Sequence, residues 1–141
     1  MALYSIGVRT SGAASGTAAW EIRTGAQRIY IMELGLSLAA ATASTYGFGR
    51  PAAIGVTPTS PVIPPPEDPA NGAAVCSSAL AWATGPTVPA IFMRRIGLPA
   101  TIGGGVIWTF PRGVVVAPSS SIVLWNLAAN SVVDAYAVIE E

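Results

Sequence analysis

The chain has 141 residues, enough for one domain with a sizeable core, and it is 52% hydrophobic but only 10% charged, where about 25% charged is usual. Its seven basic residues are all arginine, seven acids bring the net charge to zero, and lysine and histidine are both absent. That composition excludes histidine-based triads and metal sites, Schiff-base and P-loop chemistry, and the dense basic footprint that phosphate backbones require, so no nucleic-acid partner and no cofactor are expected.

Residues 3–8 (L-Y-S-I-G-V) read as a short first strand, and the small, Gly-rich T-S-G-A-A-S-G after them as a loop. Residues 17–23 alternate, with Ala18, Trp20 and Ile22 on one face and Ala19, Glu21 and Arg23 on the other. After a turn at 24–27, residues 28–40 carry the clearest two-residue period: Tyr30, Met32, Leu34, Leu36 and Leu38 share one predicted strand face. Residues 45–50 add Tyr46 and Phe48 between glycines, a short strand or bulged edge.

Residues 51–71 change character, holding seven of the twelve prolines, a Pro-Pro-Pro run and the acidic pair Glu67-Asp68. Proline fixes φ and removes a donor, so this stretch is expected as an extended excursion that does not pair as a central strand. Residues 75–83, 90–96, 106–110 and 113–116 are further strand candidates, divided by Gly-Pro-Thr, Leu-Pro-Ala and Pro-Arg-Gly turns. The run 122–127 is apolar on both faces, Ile122 and Leu124 one way, Val123, Trp125 and Leu127 the other. Such a strand lies between two layers, or between a layer and another subunit. The last run sets Val133, Ala135, Ala137 and Ile139 on one face and Asp134, Tyr136 and Val138 on the other, and is expected in the middle of a sheet. Nine or ten short strands and no helix predict an all-β antiparallel sandwich or jelly roll, in one domain over residues 1–141.

Low charge admits two explanations: the chain lies in a membrane, or protein covers much of its surface. The uncharged stretch 113–133 is interrupted by Pro118, the serine run 119–121, Asn126 and Asn130, which argues against a helical span. Period-two patterning alone does not separate a sandwich from a membrane barrel. The N-terminal M-A-L-Y-S-I-G-V-R-T has neither a basic n-region nor an apolar h-region, so protein cover is the expectation and no membrane partner is expected. Cys76, lacking a second cysteine, is expected as a small buried apolar side chain.

Few residues are available for chemistry. Glu21 and Glu33 fall on successive predicted strands near Arg23 and Arg28, and are expected in ion pairs rather than as a glycosidase pair. Trp20, Trp82, Trp108 and Trp125 sit inside apolar strands and, with Tyr136, are candidates for core or subunit-interface packing rather than a sugar platform. Gly103-Gly104-Gly105 lacks a strand-to-helix context and predicts a bulge or close backbone approach. No catalytic or metal-binding residue is assigned, and the chain is not expected to be an enzyme.

Four stretches, W-E-I-R-T at 20–24, G-F-G-R-P-A at 47–52, G-V-I-W-T-F-P at 105–111 and I-V-L-W-N at 122–126, together resemble jelly-roll capsid decoration (cement) proteins of tailed bacteriophages. The resemblance implies a virion structural protein on the outer capsid, assembled in the host cytoplasm, with itself as homotrimer and the major capsid protein as partners. It brings no catalytic residue. The candidate capsid contact is the proline loop, at Pro64, Pro65, Pro66, Glu67 and Asp68, with the N-terminal arm 1–16 as rival and an intra-trimer clasp as the loop's other role. A carbohydrate- or receptor-binding module of a fibre or tail is the second reading, resting on the tryptophans and the long loop.

Overall fold

The computed structural model describes all 141 residues. Eleven strands and no helix follow in order: β1 (Leu3–Arg9), β2 (Thr17–Arg23), β3 (Ile29–Leu38), β4 (Ser44–Gly49), β5 (Val56–Pro58), β6 (Ser77–Ala79), β7 (Trp82–Thr84), β8 (Arg94–Leu98), β9 (Gly105–Val116), β10 (Ser121–Asn126) and β11 (Val133–Glu140). They form an antiparallel four-stranded sheet, β1-β11-β3-β9, a five-stranded sheet, β6-β2-β10-β4-β8, and a small pair, β5-β7. With β5, β6 and β7 set aside, the chain alternates between two four-stranded sheets except from β4 to β8, which share one, in jelly-roll order.

The main core lies between the large sheets. From one come Ile6, Ile31, Leu34, Val116 and Ile139, and from the other Trp20, Ile22, Tyr46, Phe48 and Leu124, all buried. Phe48 stacks on Phe110 across the gap with ring centroids 5.8 Å apart. As its alternation predicts, β11 sits between β1 and β3, turning Val133, Ala135, Ala137 and Ile139 inward.

β3 departs from its predicted single face. Its register against β9 shifts between Ile31, opposite Val114, and Glu33, opposite Thr109, leaving Met32 across from residues 110–113. A bulge moves every side chain on one side of it to the other face. Ile29 and Ile31 therefore point inward before it and Leu34, Leu36 and Leu38 after it, while Tyr30 and Met32 are only half-buried. The same irregularity replaces the predicted Pro-Arg-Gly turn: Pro111 and Arg112 lie within one twelve-residue strand. Gly113 there adopts φ +66, and a Cβ would come within 2.7 Å of Tyr30 Cβ, so glycine alone fits without strain. Pro111 is tolerated because β9 is an edge strand. The Gly103–Gly105 run makes the expected close approach, a Cβ on Gly105 falling 2.1 Å from the Leu36 carbonyl oxygen.

The excursion is more structured than its prolines suggest. β4 and β8 are hydrogen-bonded neighbours, and the chain between them leaves and returns. Part of it is a flap: β5 pairs with β7, Ala53 bridges Thr87, and Ile91 and Phe92 lie over Gly49. The predicted strand 75–83 is accordingly two short ones in different sheets, and the predicted strand 90–96 starts only at Arg94.

This flap explains the strand with two apolar faces. Ile122 and Leu124 enter the main core, whereas Val123 and Trp125 form a second cluster with Ala18, packed against Trp82, Phe92 and Leu127. All six residues of β10 are buried within the single chain. At its end the buried Asn126 accepts from Ser44 Oγ of β4 at 2.9 Å and donates to the Ala13 and Ala129 carbonyls at 2.7 and 3.0 Å, tying two loops to the sheet.

The proline segment serves as a strap across one side of the sandwich. Val62 and Ser78 exchange both backbone hydrogen bonds, at 2.9 and 2.8 Å, on the β6 edge. Pro65 O accepts from Ser5 N at 3.2 Å and Glu67 N donates to Leu3 O at 2.9 Å on the β1 edge. Both sheet edges on that side are thus covered by the chain's own backbone, a standard protection against edge-to-edge aggregation.

Trp125→Ala should cost about 3–5 kcal/mol, the cavity effect of deleting a large buried aromatic. Urea unfolding reads this directly, and a loss below about 1 kcal/mol would mean that the second cluster contributes little.

Candidate functional site

A groove of about 890 Å³ lies on the outer face of the β1-β11-β3-β9 sheet. Cross-strand register builds it: Gly7, Tyr136, Gly35 and Ile107 are successive partners across the four strands. The glycines keep the floor low, and the Tyr136 ring leans over Gly35, where an added Cβ would lie 2.1 Å from ring Cε1. Tyr136 Oη donates to Glu33 Oε1 at 2.6 Å, holding the ring in place. That hydrogen bond, aided by desolvation and the carboxylate's charge, raises the tyrosine's pKa above its usual value.

At one end of the groove Arg9 meets Asp134 in a two-pronged pair, Nε to Oδ1 at 2.6 Å and Nη2 to Oδ2 at 2.8 Å. The hydrogen bond from Arg9 lowers the Asp134 pKa, and both side chains are solvent-exposed, so screening keeps the pair's contribution to stability small. The groove's charges are thus satisfied by one another. It offers an aromatic ring, backbone polar groups and exposed Ile107, the ingredients of a shallow binding surface.

A second surface is the outside of the flap. Residues 51–66 and 69–93 contain no charged side chain, so Glu67 and Asp68 are the only charges from 51 to 93. Here large apolar side chains face outward: Ile91 is 84% exposed and Val56 58%, joined by Ile54 and Val88. Beneath the flap the fully buried Glu21 carboxylate accepts from Trp82 Nε1 at 2.5 Å, with Arg23 Nε 3.8 Å away. An unpaired buried carboxylate is costly, so this contact fastens the flap to β2.

The sequence-derived candidates separate. Trp20 lies in the main core and Trp125 in the second cluster, both buried; Trp108 is half-buried against the first and Trp82 against the second. They do not form an exposed platform. Tyr136 belongs to the outer groove. Of the loop residues, Pro64 is buried, Pro66 half-buried and bridged to Tyr4, and Pro65, Glu67 and Asp68 are exposed. Glu67 accepts a hydrogen bond from Ser5, and Asp68 caps the Ala70 amide at 2.9 Å. The N-terminal arm is largely strand β1 rather than a free tail. Glu21 and Glu33 belong to different sheets, and Glu33 pairs with Tyr136 instead of Arg28. Cys76 is buried, its thiol pushed up to about 12 by burial and by Glu141, whose carboxylate accepts from the Val75 and Cys76 amides. Missed in the sequence was the glycine row, because Gly7, Gly35 and Ile107 become neighbours only through strand register.

No protein-family model and no curated protein matches the chain. One solved structure, hydroquinone 1,2-dioxygenase from Sphingomonas sp. TTNP3 with 4-hydroxybenzoate bound, is similar at 15% sequence identity and a TM-score of 0.30. The match covers 99% of this chain and 60% of that one, so this chain spans 60% of the length of that enzyme. A likeness at that level carries no argument about fold or chemistry.

The Tyr136–Glu33 pair has a signed pH consequence. Because the folded state raises the phenol pKa, the contribution is complete below about pH 10, the ordinary tyrosine value, and is lost as pH rises through the folded pKa. Glu33→Gln should return Tyr136 toward its ordinary value in an NMR titration. An unchanged titration would place the cause of the shift elsewhere.

Proposed function

We propose that the chain is a non-enzymatic structural protein of a virion, a capsid decoration (cement) protein that binds the outer capsid lattice as a homo-oligomer, a trimer by the family resemblance. The observation that supports it best is the uncharged flap with Ile54, Val56, Val88 and Ile91 turned outward. An apolar, charge-free surface suits a protein-covered interface, since charged groups lose hydration on burial. The flap is held to the sandwich by Trp82, Phe92 and the Glu21 contact, so it meets a partner with little ordering cost. On this reading the flap faces the major capsid protein, and the proline strap borders the contact rather than forming a free arm.

The test is co-sedimentation of the purified chain with capsids that lack it. The parent chain should saturate at a fixed number of copies per capsid subunit. Ile91→Glu combined with Val56→Glu should weaken binding at least about tenfold, from the apolar area lost, without lowering the melting temperature. No binding by the parent, or equal binding by the variant, would refute the reading.

The second reading, a carbohydrate- or receptor-binding module, draws on the groove with Tyr136 and the Arg9–Asp134 pair. It predicts binding of a soluble glycan that Tyr136→Ala abolishes, with no affinity for capsids.

A further inference from the structure

The sandwich has two lateral edges of unlike character. One, at β1 and β6, is closed by the strap and carries carboxylates. Glu67 and Asp68 lie on the strap, the Glu141 carboxylate accepts from residues just before β6, and Glu140 lies one strand in, on β11 between Leu3 of β1 and Tyr30 of β3. None of the four is in an ion pair.

The opposite edge, at β8 and β9, is open. Each of these strands has a hydrogen-bonded neighbour on one side only, β4 and β3 respectively. Four of the seven arginines gather there. Arg94 and Arg95 lie on β8, Arg112 lies on β9, and Arg50 reaches across to donate to the Val115 carbonyl at 2.8 Å. Arg94 stays at the edge by lying 5.2 Å from the centroid of the Phe110 ring. All four are exposed and none has a carboxylate partner within the chain.

Charge on an open edge deters strand pairing, which would account for arginines on β8 and β9 alone. It does not account for the acids being collected at the opposite edge in a chain with so few charges. We infer that the β8/β9 edge of one copy docks against the strap-covered β1/β6 edge of the next, arginines against carboxylates. The occupant of the open edge is thus a second copy of this chain. Because the two surfaces differ, the contact is heterologous: it propagates head to tail and closes into a ring when the rotation between copies allows, whereas an isologous dimer would set like charges together. Arginine suits this role, since its planar fork meets a carboxylate through two hydrogen bonds. The inference rests on the homo-oligomer reading above and deepens it by naming the surfaces.

Paired charge reversal tests it. Arg95 and Arg112 make no hydrogen bond or ion pair within the chain, so Arg95→Glu with Arg112→Glu should leave the fold intact, as circular dichroism and melting would show. Glu67→Arg with Glu140→Arg reverses the other edge. In sedimentation velocity each two-residue variant should fall to the mass of one chain, and the four-residue combination should recover the parent mass. The unmodified oligomer should also dissociate more readily as salt rises from about 0.05 to 0.5 M, a readout that needs no variant. An oligomeric parent whose two-residue variants keep their mass, whose combination fails to recover, or whose association ignores salt would overturn the edge contact alone. A parent that is monomeric at micromolar concentration would overturn the oligomer reading itself, and this contact with it.

Discussion

The arrangement of this protein depends on strand β10, which has no face that tolerates water. Ile122 and Leu124 serve the main core, so Val123 and Trp125 require cover on the other side. A two-sheet jelly roll leaves the outside of each sheet wet. The chain resolves this by inserting residues 51–93 between neighbouring strands β4 and β8 and folding them back as a third, partial layer. Burial of apolar area on both sides of one sheet is a large stabilising term, and it sets where the flap must lie.

The cover has a consequence for the outside. The flap's inner side is filled by Trp82 and Phe92, and its outer side keeps Ile and Val with no charge among them. One sheet therefore presents an apolar exterior, while the other presents a glycine-floored groove with self-paired charges. Of the other charges, Glu67, Asp68, Glu140 and Glu141 lie toward the strapped edge, and Arg50, Arg94, Arg95 and Arg112 lie at the open one. Faces and edges thus have separate chemistries.

Much of the fold was legible in the sequence because period two survives wherever a strand is regular. β11 reads correctly residue by residue, and β10 announces its need for two covers. The identity of the cover was not legible: the sequence allowed another subunit, and the structure supplies the chain's own flap. A bulge is invisible to periodicity, so Tyr30 and Met32 were grouped with Leu34, Leu36 and Leu38, and the Pro-Arg-Gly signal at 111–113 looked like a turn when it was an edge-strand irregularity. The strap escaped because prolines mask pairing, although carbonyls of Pro65 and other residues still accept from strand edges. The groove and the charged edges escaped for a different reason. Gly7, Gly35 and Ile107, like Arg50, Arg95 and Arg112, are distant in sequence and meet only through topology.

The most direct test of the proposed role is a cryo-electron microscopy map of the particle proposed to carry this protein, at a resolution that traces strands. The expected map shows jelly-roll density on the outer shell with the β5-β7 flap against the capsid, and neighbouring copies meeting through β8/β9 on one and β1/β6 on the next. Density confined to a tail or fibre, or copies on the shell with the flap turned to solvent, would contradict the account.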